Sequence, residues 1–140
     1  MKKILSLSLL LLITIMADAQ QSWDVAVQKK TVLKKAEENS EKNIVKIKKS
    51  SLGKKTPLTI KFNDADTANN ITLMADKETG GGLASWVFTG KPITISGEEL
   101  KKLFAGENKL IFTYTAIPKD LNTAMVLRIR PVHMCSVSLY

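Results

Sequence analysis

The sequence predicts a mainly β chain, an antiparallel sandwich of about seven strands with one short helix over 97–105. Three observations carry that class. From Pro57 onward apolar residues recur at every second position, breakers part these runs at strand-sized intervals, and one run with a spacing of three and four follows a helix-capping signature. Two layers are expected because a single sheet with this alternation would leave one apolar face in water.

The strands follow in order. Leu58, Ile60 and Phe62 alternate with Thr59 and Lys61; Ile71, Leu73 and Ala75 with Thr72 and Met74; Ala84, Trp86 and Phe88 with Ser85 and Val87; Ile93 and Ile95 flank Thr94. Leu110, Phe112 and Tyr114 oppose Thr113 and Thr115, and then come Met125, Leu127 and Ile129, with Val137 and Leu139 last. Asn63-Asp64-Ala65-Asp66, Thr79-Gly80-Gly81-Gly82, Gly90-Lys91-Pro92, Gly106-Glu107-Asn108 and Pro118-Lys119-Asp120 fill the gaps.

The helix has a firm start. In Ser96-Gly97-Glu98-Glu99 the serine hydroxyl and the Glu99 carboxylate can each satisfy a free backbone N–H of the first turn. Leu100, Leu103 and Phe104 then form one apolar stripe, and Gly106 can take the left-handed stop. Leu103-Phe104-Ala105-Gly106-Glu107-Asn108-Lys109-Leu110-Ile111-Phe112 resembles the Leu-x-x-Gly-x-Asn-x-Ile turn that leads into a late strand in immunoglobulin-like modules of bacterial secreted proteins. The resemblance covers about ten residues, implies an immunoglobulin-like sandwich, and carries no catalytic residue with it. It departs from the antibody pattern, since no cysteine pair is present to bridge the sheets.

Ahead of this body lies a lysine-rich segment, 20–56. Trp23, Val25 and Val27 alternate as in a strand, and Asn43 to Lys49 reads as another with Val45 and Ile47 inward. Between Thr31 and Lys42, Val32, Leu33 and Ala36 share one side of a helical wheel opposite Lys34, Lys35, Glu38 and Lys42, which predicts a short amphipathic helix. Ser50, Ser51, Gly53 and Pro57 mark a loop.

The first 19 residues read as a removable export signal. Lys2 and Lys3 are followed by an apolar run of 13 residues, Ile4 to Met16, and Ala17-Asp18-Ala19 places small side chains where a signal peptidase cuts. A membrane-spanning helix needs about 20 apolar residues. Cleavage after Ala19 leaves a single domain bound for the periplasm or the outside of a bacterial cell, with a body over 57–140 and no transmembrane span in the mature chain.

Charge and chemistry narrow the function classes. Between Gln20 and Phe62 eleven lysines meet four carboxylates, whereas from Asn63 to Tyr140 eight basic residues balance eight acidic ones. The doublets Lys29-Lys30, Lys34-Lys35, Lys48-Lys49 and Lys54-Lys55 can attract an anionic envelope polymer or simply form a solvated face. Nucleic acid is not expected, because the segment has no arginine and only Trp23 and Phe62 to stack on bases. Cys135 is the only cysteine, which excludes an intramolecular disulfide, and His133 the only histidine. Spaced by two on a strand, they share the parity of Val137 and Leu139 and are expected side by side in the core; a bulge at Pro131 would instead expose both. Neither a metal site nor a cofactor is expected. Arg128 and Arg130 lie on the opposite parity about 7 Å apart, suited to clamping a carboxylate or phosphate, or to ion pairs with neighbouring strands.

Thr79-Gly80-Gly81-Gly82 lacks the Lys-Ser/Thr of a phosphate loop and is a turn or a binding loop beside Trp86. Glu98 and Glu99 are explained by capping rather than by glycosidase chemistry. Asp66-Thr67-Ala68 is similar to the Asp-Ser/Thr-apolar site that some Gram-negative bacteria O-glycosylate outside the cytoplasm, which nominates Thr67 for modification. Three classes result. The favoured one is a noncatalytic exported module that binds a protein or glycan of the envelope through end loops or a free strand edge. The others are a binder of anionic polymer through Lys29 to Lys55, and an enzyme or a small inhibitor presenting Glu78 to Leu83. An enzyme would have to gather His133, Cys135, Asp76, Glu78 or Glu107 into one cleft.

Overall fold

A computed structural model describes residues 21–53, 56–65, 67–120 and 129–140. The export signal, Lys54, Lys55, Asp66, Arg128 and most of the expected strand Met125–Ile129 lie outside the described residues. The described residues form nine strands, one helix and a single 3-10 turn at Lys49–Ser51. In order the strands are β1 (Ser22–Val27), β2 (Lys30–Ala36), β3 (Ile44–Ile47), β4 (Leu58–Asn63), β5 (Asn69–Lys77), β6 (Gly82–Val87) and β7 (Ile93–Ile95). Helix α1 (Gly97–Leu103) follows, then β8 (Lys109–Pro118) and β9 (Val132–Leu139).

They make two sheets, of order β2-β1-β4-β7 and β3-β9-β8-β5-β6. Alternation decides what each sheet buries. Trp23, Val25, Leu58, Ile60, Phe62, Ile93 and Ile95 come from the first sheet and Ile71, Leu73, Ala75, Leu110, Phe112, Tyr114 and Val137 from the second, and all belong to one buried cluster. Edge-on ring contacts cross the layers, Trp23 to Tyr114 at 5.6 Å and Phe62 to Tyr114 at 5.3 Å. This is the layered architecture of a β-sandwich. No helix of the described residues is long and apolar enough to cross a membrane.

Three expectations need correction. In place of the predicted helix between Thr31 and Lys42, the chain up to Ala36 is strand β2, paired antiparallel with β1, and 37–42 are turns and irregular backbone. Two register shifts, between Trp23 and Val25 and between Val25 and Ala26, each add a residue to β2, so the residues paired with Val25 and Trp23 are Leu33 and Ala36. Bulges thus give an edge strand a three-residue apolar spacing that reads as helical. The sandwich is also not wholly antiparallel. Strand β3 runs parallel to β9, with Ile44 opposite Ser136 and Ile47 opposite Leu139, and β1 sits between β2 and β4, so the lysine-rich segment is woven into both sheets.

The third correction concerns His133 and Cys135. The β8–β9 register slips between Phe112 and Thr113, which pair with Cys135 and His133, leaving Met134 as the extra residue. Directly opposed residues share a face. Cys135 therefore joins Phe112 in the core with Met134 beside it, both fully buried, while His133 joins Thr113 on the outer face. The bulge lies between the pair and separates them.

Helix α1 forms as its cap dictates. The Ser96 hydroxyl accepts from Glu99 N–H at 3.2 Å, Leu100 and Phe104 are buried, and Gly106 takes φ +79° where the chain turns into β8. The Glu99 carboxylate bonds to the Trp86 indole N–H at 3.3 Å, a cross-sheet link instead of the local one its spacing suggested. The helix start presses on the 3-10 loop so closely that a Cβ on Gly97 would lie 1.4 Å from the Gly53 carbonyl oxygen.

Candidate binding cleft between the β2 and β3 edges

Among the described residues, no element bridges the β2 and β3 edges of the sandwich. The β1–β2 connection is two residues long, with Gln28 at φ 52° and Lys29 at φ 66°, the tight mirror-image turn whose twist suits a hairpin. It places Lys30 opposite Val27. Across the gap, β3 presents Lys46 on its outward parity and Lys48 just beyond its end. Between these edges lies a cleft of about 370 Å³ with apolar walls of Val27, Val32, Ile47 and Tyr140 and a rim of Lys30, Lys46 and Lys48. Gln28, Ser51 and Thr56 also line it. They are tied together: Gln28 Nε2 donates to Thr56 Oγ1 at 3.4 Å, Gln28 N–H donates to the Pro57 carbonyl at 3.1 Å, and the buried Thr56 hydroxyl donates to the Ser51 carbonyl.

The charged side chains that line the cleft are all lysines. Among the described residues the ion pairs are Lys77–Glu107 (3.5 Å), Lys109–Glu78 (2.9 Å) and Arg130–Glu38 (2.7 Å), and none involves a lysine of the cleft. Three cations around a lining that mixes Val27, Val32 and Ile47 with polar Gln28, Ser51 and Thr56 attract an anionic group and offer its carbon skeleton an apolar wall to lie on.

Of the sequence-predicted residues, Lys30 and Lys48 are brought together here. Lys29 is exposed at the hairpin tip. Lys34 and Lys35 lie farther along β2, where Lys35 N–H donates to Asp24 Oδ1 at 2.7 Å and, with the Asn63 amide, holds that carboxyl below its usual range. Lys49 lines a separate hollow with Leu52, Lys101, Phe104 and Leu139. Trp86 is on the other side of the molecule, bonded to Glu99 and stacked on Phe112 at 6.3 Å. Exposed Thr67 lines a 250 Å³ hollow with Asn70, Phe88 and Lys119. Lys46, Val32 and Tyr140 escaped sequence reasoning. Lys46 was legible as the outward residue between Val45 and Ile47; the neighbours it meets were not.

The residues considered for chemistry disperse. Arg130 holds Glu38 with two hydrogen bonds of 2.8 and 2.7 Å, so its fork is spent within the chain, and that contact keeps the Glu38 carboxyl below its usual range. Glu78 and Glu107 are held by Lys109 and Lys77. Burial pushes the Cys135 thiol up to about 12, which keeps it protonated near neutrality.

His133 Nε2 lies 3.1 Å from Ser136 Oγ, the one serine–histidine contact among the described residues' hydrogen bonds. A nucleophilic pair needs a third group on the other ring nitrogen and access to the hydroxyl. Here Nδ1 is buried without a partner among the described residues, Glu38 accepts from the His133 backbone N–H at 3.4 Å rather than from the ring, and Ser136 is 4% exposed. Desolvation lowers the imidazole's pKa, so the ring is held neutral. Among the described residues no three His, Cys, Asp or Glu side chains gather as metal ligands do. No family model, curated protein or solved structure matches this chain.

Proposed function

We propose that the chain is an exported, noncatalytic binding module of immunoglobulin-like type that captures an anionic protein or glycan of the bacterial envelope in the cleft between β2 and β3. The observation that carries this reading is the convergence of Lys30, Lys46 and Lys48, without a carboxylate partner among the described residues, on the apolar walls of Val27, Val32, Ile47 and Tyr140. The immunoglobulin-like scaffold is supported by the two-layered architecture and by the Leu103–Phe112 turn that passes from α1 into β8. Export rests on the Lys2-Lys3, apolar and Ala-x-Ala pattern of the first 19 residues.

The test uses the chain from Gln20 onward, tagged at its N-terminus away from Tyr140, and envelope extract together with two defined polyanions, heparin and polyphosphate. Retention should fall steeply between low and high salt, because cleft lysines near the surface are screened over about 10 Å at 0.1 M. It should be lost in the K30Q/K46Q/K48Q variant. Retention that ignores both salt and those substitutions would overturn the cleft as the site.

A further inference from the structure

We infer that the partner enters the cleft as an extended strand, a peptide segment in which apolar and acidic residues alternate, added to the free edge of β3. This rests on the binding reading above and names the mode and the partner's chemistry.

The backbone of β3 decides which groups are free. The Asn43 carbonyl accepts from Ser136 N–H at 2.8 Å and the Ile47 carbonyl from Tyr140 N–H at 3.1 Å, so positions 43, 45 and 47 turn their peptide groups toward β9. Successive residues of a strand direct these groups to opposite edges, so those of Ile44 and Lys46 point away. Ile44 N–H is taken by the Lys42 carbonyl at 2.9 Å. The Ile44 carbonyl and both the N–H and carbonyl of Lys46 face outward, where no described strand pairs. They are the donor and acceptors that a further strand uses.

The other edges are less suited. Strand β2 carries two bulges and a residue of positive φ, Lys35 at 47°, which break a regular ladder. Strand β7 has three residues and runs at once into the helix. Strand β6 has an open edge but no charged residue between Gly82 and Val87.

Pleating then sets the partner's pattern. In an added strand, residues level with Ile47 point between the sheets toward Val27 and Val32, and their neighbours lie beside Ile44 and Lys46 on the outer face. The first set meets apolar walls and the second meets a cation, so apolar and acidic residues must alternate. A second copy of this chain fits poorly. Its own β3 would bring Lys46 and Lys48 against the same lysines, and the chain carries a net charge of +8.

The experiment titrates the chain from Gln20 onward with a labelled eight-residue peptide of alternating Glu and Val. Controls are a block-ordered peptide of the same composition and the alternating peptide N-methylated on every second amide. The alternating peptide should bind at least tenfold more tightly than either control, and the Lys46 amide should gain hydrogen-exchange protection in the complex. K46Q removes the charge alone and should weaken binding severalfold. K46P also removes an N–H that no described strand uses, and should weaken it further; if that variant fails to fold, the N-methylated peptide carries the same test. Equal binding of the methylated or block peptide, an unprotected Lys46 amide, or a dimer that the peptide does not dissociate would overturn the inference. If heparin binds through the three lysines while every peptide fails, the cleft reading survives and the strand mode falls. If neither binds, both fall.

Discussion

The two flanks of the sandwich are treated in opposite ways. Between β6 and β7 the gap is bridged: Trp86 stacks on Phe112, its N–H reaches the Glu99 carboxylate, and α1 drives Leu100 and Phe104 into the core. Between β2 and β3 nothing among the described residues plays that part, and Val32, Ile44 and Tyr140 are left 43%, 46% and 71% exposed among three unpaired lysines. Sealing takes an aromatic ring, a carboxylate and a short helix. The chain commits these to one side and lines the other with lysines that have no carboxylate side-chain partner among the described residues.

Substitutions on the sealed flank should therefore cost folding energy. Phe112→Ala removes a fully buried ring from beneath Trp86 and should destabilise by about 3–5 kcal/mol, read as a lower denaturant midpoint with an unchanged slope. Gly97→Ala comes next at about 1–3 kcal/mol, because its methyl group would overlap the Gly53 backbone and the helix start must shift. A loss below 1 kcal/mol for Phe112→Ala would mean the flank is not held as described.

The interior strands and the helix of the sealed flank were the legible parts. Strands β4, β5 and β8 keep strict alternation, from Leu58-Ile60-Phe62 to Leu110-Phe112-Tyr114, and Ser96 announces the helix three residues before the N–H it caps. The open flank is built of features that defeat a local reading. Bulges in β2 replace a period of two by the Leu33–Ala36 spacing of three, so the edge strand carries a helical signature. The parallel pairing of β3 with β9 joins residues about ninety positions apart and leaves no turn signal between them. A single extra residue, Met134, puts His133 and Cys135 on opposite faces, although their spacing alone gives them one face. The lysine excess was visible as composition. Which three of those side chains meet depends on pairings that the sequence does not announce.

Smaller effects sharpen the contrast. Ser96→Ala leaves the Glu99 N–H without its cap and should cost about 1 kcal/mol in thermal or chemical unfolding. Because Trp86 is bonded to Glu99, the same change should also raise the solvent exposure of the tryptophan, seen as a red shift in its emission; an unmoved spectrum would detach the cap from the seal.

Acid tests the rim where β2 leads toward β3. His133 is held neutral by burial, so its ring binds a proton less readily folded than unfolded. Stability should fall as pH drops below about 6.5, the ordinary value at which the unfolded chain begins to protonate there. Glu38 and Asp24 are shifted down, so what they contribute is present above their ordinary values of 4.5 and 3.8 and is lost as pH falls through the lowered ones. His133→Gln should remove the upper limb of this pH dependence and leave the lower, with melting temperatures from pH 8 to pH 3 as the readout. A variant that keeps both limbs would place the upper one elsewhere.

The smallest expected effect is the most discriminating. Lys30, Lys46 and Lys48 make no ion pair with a described residue and cover only the rim of the cleft, so changing all three to Gln removes repulsion as readily as attraction. Each should move stability by no more than about 0.5 kcal/mol, with the melting temperature held or slightly raised. If the triple variant instead unfolds several degrees lower, the lysines are propping the β2 and β3 edges and the open flank is structural like its opposite. If stability holds while polyanion retention disappears, the charge kept on that flank serves a molecule outside the chain.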